Sequence, residues 1–306
     1  MSGVSEPRCL LTVHAHPDDE ASQGAGTVAR YHAEGVHTVL VCCTGGEEGE
    51  ILNPAMDTPE THRDLGAVRR RELDRAAAII GYDEVVLLGY RDSGMAGSEA
   101  NADPSCFAAA PLEEATGRLV AVIRRTRPQV MVVYGDDQRG YPHPDHLRVH
   151  DAGLAAFRAA GDPDRFPGAG PAHQPAKLYY TVQSASRFRA IHEKFEELGL
   201  ESPFDEQWRS RWDALPEEVP TTVVDITDHT DVRRRALLAH ATQVDPQSRF
   251  WFGLPPEVMA TIQPRDDYRL ALVAAPDGTL TPPEWDGVVE TDLFAGVPGT
   301  DGTGHR

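Results

Sequence analysis

Histidines and carboxylates crowd into two short runs of this sequence. The first is His14-Ala15-His16-Pro17-Asp18-Asp19-Glu20, and the second is Tyr141-Pro142-His143-Pro144-Asp145-His146. Imidazole and carboxylate are the donors that hydrolases offer to zinc, with three protein ligands and one position kept for water. An ion bound in that way brings the pKa of its water towards ~7 and polarises a carbonyl. A further carboxylate that is not on the metal can then take the proton of the water. Asp18 and Asp19 are adjacent, so on a turn their side chains diverge, and one can bind metal while the other faces water. Taken singly, each run has a plainer reading. A lone histidine after a strand is most often a hydrogen-bonded core or loop residue, Asp-Asp-Glu is a common solvated turn or helix N-cap, and Pro-Asp-His is an ordinary helix start. Their joint placement is what points to metal-assisted hydrolysis.

That placement comes from the elements around them. Short apolar runs at 9–13, 38–44, 84–89, 130–134 and 177–182 read as strands. Between them, 23–33, 62–80, 112–125 and 144–160 carry helical spacing. In 62–80, Leu65, Val68, Leu73, Ala76 and Ile80 make an apolar face opposite Arg and Glu. Unbroken apolar strands between amphipathic helices predict an α/β, Rossmann-like, mostly parallel sheet with helices on both faces. The first cluster follows strand one and the second follows strand four. In a sheet ordered 3-2-1-4-5 those strands are neighbours where the strand order reverses, and ligands bind beyond the carboxyl ends of the strands at that point. Residues 1–183 are expected to form the catalytic domain that carries the metal site. Residues 161–176 read as a Pro- and Gly-rich loop. Residues 184–296 are expected to form a less regular part of helices and strands that completes the substrate pocket, with a charged helical insertion at 186–215 anchored by Phe and Trp and a helix at 232–243. The Gly- and Thr-rich tail, 297–306, is expected to be disordered.

Composition removes several classes. A net charge of −19 argues against a role on DNA, RNA or an anionic membrane, where a basic patch supplies affinity. No apolar stretch approaches the roughly 20 residues that span a bilayer, and no basic-then-apolar leader opens the chain, so the cytoplasm is the expected compartment. Cys9, Cys42, Cys43 and Cys106 include no Cys-x-x-Cys pair, which leaves buried free thiols as the expectation. Gly24-Ala25-Gly26-Thr27-Val28-Ala29 matches a dinucleotide fingerprint, but a charged heptad separates it from the strand, and a helix packing closely on the sheet explains the glycines better. Gly45-Gly46-Glu47-Glu48-Gly49-Glu50 is no phosphate loop, because it lacks the lysine and its acids would repel phosphate. It reads as a flexible turn or as a pocket wall that holds sugar hydroxyls.

His16-Pro17-Asp18-Asp19-Glu20 paired with His143-Pro144-Asp145-His146 resembles the N-acetylglucosaminyl-phosphatidylinositol de-N-acetylase (LmbE-like) family of zinc amide hydrolases. The runs 45–57, 91–95, 140–146, 177–180, 240–243 and 290–296 are similar to its mycothiol branch. That branch has two activities, deacetylation of the N-acetylglucosaminyl-inositol precursor and cleavage of mycothiol S-conjugates. The runs 50–57 and 161–167 favour the conjugate amidase, and 91–97 is closer to the deacetylase. The resemblance implies one Zn2+ per chain held by His16, Asp19 and His146. It implies Asp18 as general base, His143 backed by Asp145 as stabiliser of the oxyanion or acid for the leaving amine, and Tyr141 as a group that polarises the carbonyl. It also implies Arg69 and Asp92 as holders of sugar and inositol hydroxyls, and a small thiol–sugar conjugate as the partner. His14 is expected to be structural. Gln23 stands where conjugate amidases tend to carry lysine, which admits a specialised thiol-conjugate amidase of natural-product biosynthesis. Two histidines and a carboxylate also suit Fe2+. The rival from another class is a non-catalytic sugar-binding protein, but an unligated carboxylate beside the metal site has no purpose in one.

Overall fold

The computed structural model describes residues 7–136, 141–214, 219–284 and 287–297. The chain opens with β1 (Cys9–His14), then α1 (Asp19–Ser22), α2 (Ala25–Ala33) and β2 (His37–Thr44). After a loop come α3 (Pro59–Arg63), α4 (Leu65–Ile80), β3 (Glu84–Tyr90), α5 (Leu112–Thr126), β4 (Val130–Tyr134), α6 (Pro144–Ala159) and β5 (Lys177–Val182). The remainder holds α7 (Ala185–Glu197), α8 (Glu206–Ala214), β6 (Thr222–Asp225), α9 (Thr230–Ala239), α10 (Arg249–Phe252), α11 (Pro256–Ile262), β7 (Arg265–Ala274) and β8 (Leu280–Thr281).

The strands form one sheet in the order β3-β2-β1-β4-β5-β7-β6, with β8 paired to β7. From β3 to β5 the pairing is parallel, in the order 3-2-1-4-5 that the sequence implies. β7 then runs antiparallel to β5, and β6 antiparallel to β7. Both faces are covered, and the strand residues divide by parity as a pleated strand requires. Leu11, Val13, Met131 and Val133 join the core under α5 and α6, whereas Leu10, Val130 and Val132 join the one under α2 and α9. A smaller aromatic core, with Phe195, Phe204 and Trp212, holds α7, α8 and the turn at Leu254 together.

Several expected boundaries shift for physical reasons. The helix expected over 23–33 begins at Ala25, because Gly24, at φ 81°, stands at its N-cap, and a separate short helix, α1, precedes it. The helix expected over 62–80 breaks at Asp64, whose side chain caps the second piece by accepting from the Ala67 amide. The insertion at 186–215 is likewise two helices. Strands β6 and β7 were expected only as unplaced strand content of the C-terminal part; β6 has four residues, and β7 opens with charged residues before its apolar run. Of the tail expected to be disordered, Val297 is buried against the α2 face, and residues 298–306 lie outside the described residues. All four cysteines are buried and free.

Helix α6 lies close on β4 because Gly153 has no side chain: a Cβ there would sit 2.7 Å from Cγ1 of Val133. Since α6 carries His146 and is capped by His143, this contact sets the depth of both. Gly153→Leu should therefore destabilise the fold by about 1–3 kcal/mol through overpacking. It should also weaken metal binding, both effects being readable by thermal denaturation with and without added zinc.

Candidate metal centre and active site

The two clusters meet at the carboxyl edge of β1 and β4. The chain leaves β1 at His14, which points inward to Tyr134 at the end of β4 (Nδ1 to the phenol oxygen, 3.1 Å). The same phenol accepts from the Ala15 amide at 3.2 Å. Asp18 then takes φ 118°, a left-handed conformation costly for a non-glycine residue. This turn folds Asp19 back, so that its Oδ2 accepts from the His16 amide at 2.9 Å. On the other side, His143 caps α6, its Nδ1 accepting from the Asp145 amide at 3.2 Å, and Pro144 supplies the first helical residue. His146, one turn on, lies on the same face of the helix as His143.

Three side chains converge as a ligand set. His16 Nδ1 lies 3.4 Å from Asp19 Oδ2, and His146 Nε2 lies 3.5 Å from Asp19 Oδ1. All three residues are buried, and their donor atoms lie within 4.8 Å of one another. His146 Nε2 is the telling atom. It is buried yet makes no hydrogen bond, and a bound cation would satisfy it. The charge balance agrees: Asp19, Asp92 and Asp145 surround His16. Burial alone would lower His16, but those three carboxylates hold its pKa well above the usual imidazole value. Such a density of buried negative charge calls for a cation.

A second group, His16, Asp92, His143 and Asp145, is equally compact. Its oxygens are already spent. Asp145 is fully buried and accepts from the Ser93 amide (3.0 Å) and the Ser93 hydroxyl. Its Oδ2 also faces His16 Nε2 at 3.1 Å. Asp92 Oδ1 accepts from the Gly94 amide at 2.8 Å and lies 3.5 Å from His16 Nε2, while Oδ2 accepts from the Glu48 amide at 3.3 Å. These carboxylates hold the rear nitrogen of His16 and so turn Nδ1 towards Asp19 and His146. This is the arrangement by which an outer carboxylate fixes the tautomer of a metal-binding imidazole.

The geometry thus departs from two expectations. The side chain of Asp145 backs His16; what supports His143 is the Asp145 backbone amide. Arg69 and Asp92, expected to hold substrate hydroxyls, are turned into the protein instead. Arg69 is 2% exposed, and it donates to Asp18 Oδ2 (2.9 Å), to the Gly46 carbonyl (2.7 Å) and to the Pro17 carbonyl. The glycines of the 45–49 loop explain themselves here, since side chains at Gly46 or Gly49 would collide with that guanidinium.

Asp18 remains off the ligand set and part-exposed. Burial, aided by the charge of Asp19 and opposed by Arg69, pushes its pKa up to about 6. A carboxylate with that affinity for protons suits general-base work near neutrality. His143 moves the other way: burial and the positive His16 lower it to about 4. With Nδ1 accepting from an amide, the neutral ring carries its proton on Nε2 and acts as a donor. Tyr141 is 54% exposed and stacks on His143 with ring centroids 5.8 Å apart.

Sequence reasoning passed over two supports. Ser93 saturates Asp145, and only the likeness of residues 91–95 to a family pattern marked its neighbourhood. Glu20 and His240 form a fully buried pair (2.6 Å) that ties α1 to the turn after α9. Beside it, the Thr242 amide and hydroxyl donate to Glu72 at 2.9 and 2.6 Å.

Further along the same edge lies a cavity of about 330 Å³. Its wall begins at Gly24, next to α1, and continues through Gln183 after β5, Ile226 after β6 and Asp266 at the start of β7. β5 stands two strand spacings from β1, about 10 Å.

A buried two-histidine, one-carboxylate group at the switch point of a Rossmann-like sheet, with the Asp18 carboxylate beside it but outside the group, is the donor set that a metal-dependent hydrolase uses. Comparison with known proteins agrees: residues 11–157 match the family model described as GlcNAc-PI de-N-acetylase. The chain is 41% identical to a mycothiol S-conjugate amidase of Streptomyces coelicolor, over 94% of this chain and 97% of that one. It is also 41% identical to a 1D-myo-inositol 2-acetamido-2-deoxy-alpha-D-glucopyranoside deacetylase of Geodermatophilus obscurus, over 97% and 100%. Among solved structures, the N,N'-diacetylchitobiose deacetylase of Pyrococcus horikoshii shares the fold, with a TM-score of 0.61, 18% identity and coverage of 87% and 84%. The chain belongs to the GlcNAc-PI de-N-acetylase (LmbE-like) family and is a hydrolase of amide bonds.

If Asp145 and Ser93 set His16 for its metal, Asp145→Asn should lower metal affinity about 10–100-fold while leaving the fold intact. Competition with a fluorescent chelator measures it. Glu20→Ala leaves His240 buried without its partner and should cost about 3–5 kcal/mol by denaturant unfolding.

Proposed function

We propose that this chain is a zinc-dependent amidase of mycothiol S-conjugates, releasing an S-conjugated N-acetylcysteine and glucosaminyl-inositol. The observation that carries this choice is the cavity on the same edge of the sheet, whose wall begins at Gly24, two residues beyond α1. A deacetylase must house only an acetyl methyl at that end of its substrate, whereas a conjugate amidase must house the group on sulfur. The similarity to the Streptomyces amidase supports the same reading, and the equal similarity to a deacetylase keeps the sister activity as the outcome to test against.

His16, Asp19 and His146 would hold the ion, zinc or, with the same donors, iron(II). When bound there, it supplies Lewis acidity towards the amide carbonyl and acidifies a water. Asp18, its Oδ2 held by Arg69, is placed to act as the general base that takes a proton from the attacking water. His143 donates from Nε2 to the charge that develops on the carbonyl oxygen, and can pass its proton to the departing amine. Tyr141, stacked on His143 with its body exposed, adds a hydroxyl donor at the mouth of the site. Asp145, Asp92 and Arg69 act as positioning groups for His16 and Asp18. No helix among the described residues is long and apolar enough to cross a membrane.

Two measurements test this. Zinc-loaded enzyme should hydrolyse a bimane-labelled mycothiol adduct faster than it deacetylates N-acetylglucosaminyl-inositol, with a chelator stopping turnover and zinc restoring it. Faster deacetylation would move the assignment to the sister activity, and no zinc-dependent turnover of either would end both. Asp18→Asn should retain one zinc per chain yet lose about 10²–10⁴-fold in kcat. Loss of zinc on the scale seen in His16→Ala would show instead that Asp18 is a ligand.

A further inference from the structure

The 330 Å³ cavity has walls of two kinds. Phe188, Ile191, Phe250, Trp251 and Met259 line it with aromatic and aliphatic surface. Into this surface project two guanidinium groups from separate helices, Arg187 on α7 and Arg233 on α9. Both donate to one oxygen, Oε1 of Gln263, with Arg233 Nη1 at 2.7 Å. Arg233 also lies against the Trp251 ring, 5.6 Å from its centroid. Among the described residues, neither guanidinium has an ion pair.

Two part-buried cations sharing a neutral amide oxygen are electrostatically unfinished. Their repulsion is visible in Arg233, whose pKa burial and the neighbouring Arg187 charge lower to about 9. The nearby carboxylates are those of Asp266 and Asp267, and neither forms an ion pair with either guanidinium: Asp266 is committed through Oδ2 to the Thr27 amide (3.1 Å) and hydroxyl (2.9 Å), and Asp267 pairs through Oδ1 with Arg265 at 3.4 Å. Of the other charged residues lining the cavity, Asp231 pairs with Arg235 on the outer surface, and Glu257 and Arg234 are exposed at the rim. Two guanidinium groups are thus left without an ion pair among the described residues, in a largely apolar chamber. A carboxylate fits it, because a guanidinium binds two carboxylate oxygens in parallel and gains most where water is excluded.

We propose that this cavity binds an apolar, aromatic carboxylate, with the acid group between Arg187 and Arg233 and the ring among Phe188, Trp251 and Met259, and that it seats the S-linked group of the substrate. The second half of this proposal rests on the conjugate-amidase reading, and the first does not. The cavity wall starts at Gly24, immediately beyond α1, which carries Asp19. The side chain of the intervening Gln23 is tied back to β5, its Oε1 accepting from the Thr181 hydroxyl at 2.9 Å. The S-linked group of a conjugate whose amide lies at His16, Asp19 and His146 would extend along this edge. The substrates favoured would be adducts of electrophiles that carry both a ring and an acid.

The test uses the zinc-loaded full chain. Titration calorimetry with 2-naphthoate should show one site per chain, at least tenfold tighter than 2-naphthalenemethanol, and inorganic phosphate at millimolar concentration should not displace it. Gln263→Glu places a carboxylate between the two arginines from within the protein. It should raise the melting temperature and abolish naphthoate binding, so that loss of binding cannot be put down to unfolding. Arg233→Met should weaken naphthoate at least tenfold and leave naphthalenemethanol within twofold. Equal binding of the acid and the alcohol, naphthoate binding that survives Gln263→Glu, displacement by phosphate, or no binding would each overturn the site. For the substrate role, the kcat/KM of mycothiol carrying an S-(4-carboxybenzyl) group should exceed that of the S-benzyl adduct, and Gln263→Glu should reduce this ratio tenfold. A ratio unmoved by Gln263→Glu would remove the cavity from substrate recognition. If neither adduct is hydrolysed while naphthoate binds as described, the anion site stands and the amidase reading falls.

Discussion

His16 is the point at which the buried charge of this protein has to balance. Its two nitrogens face opposite ways, Nδ1 towards Asp19 and Nε2 towards Asp145 and Asp92. Each of those carboxylates is expensive to keep away from water, and each is retained because hydrogen bonds from Ser93, Gly94 and the His16 amide satisfy its remaining oxygens. Asp19 and His146 then present donors on the front side with no protein partner adequate to their charge. The rest of the site follows from this polarity: the rear carboxylates fix the imidazole, the front atoms accept a cation, and Asp18 is held beside it by Arg69 without joining it.

Holding that arrangement requires distant parts of the chain to be locked together. The left-handed turn at Asp18 is strained, and it persists because its surroundings leave no alternative. Arg69 grips the Pro17 carbonyl and Asp18 Oδ2 from α4, and glycines at 46 and 49 leave room for its head group. Glu20, two residues on, is buried against His240, so α1 is anchored to the C-terminal part as well. Asn53 donates to the Ala241 carbonyl, and Leu52 to that of Thr242, so the 45–57 loop closes on the same turn. The segment 240–243 is a clasp on which α1, α4 and this loop converge. That is how the C-terminal residues bear on a candidate metal centre whose residues, His16, Asp19 and His146, all come from the first half of the chain.

The strand order and the meeting of the two clusters were legible in the sequence because buried parallel strands read as unbroken apolar runs and ligands gather where strand order reverses. The roles of Arg69 and Asp92 were not. An arginine that begins an Arg-Arg-Arg run on an amphipathic helix gives no sign that it is the one turned inward, and nothing in Asp92 shows which imidazole it will face. Strands β6 and β7 could not be placed because one is short and the other carries Asp266, Asp267 and Arg269 among its apolar residues. The cavity was invisible for a related reason: Arg187, Arg233 and Gln263 are ordinary surface residue types, and only the folding of α7 and α9 over the sheet edge brings them together. Family resemblance supplied residue types at positions; packing decided which way each side chain points.

The central claim is that His16, Asp19 and His146 form the metal centre and that Asp92 and Asp145 stand behind it. Anomalous diffraction at the zinc edge, from crystals grown with zinc, locates the ion directly. The account predicts a single anomalous peak within bonding distance of His16 Nδ1, an Asp19 oxygen and His146 Nε2. A peak among Asp92, His143 and Asp145 would contradict it.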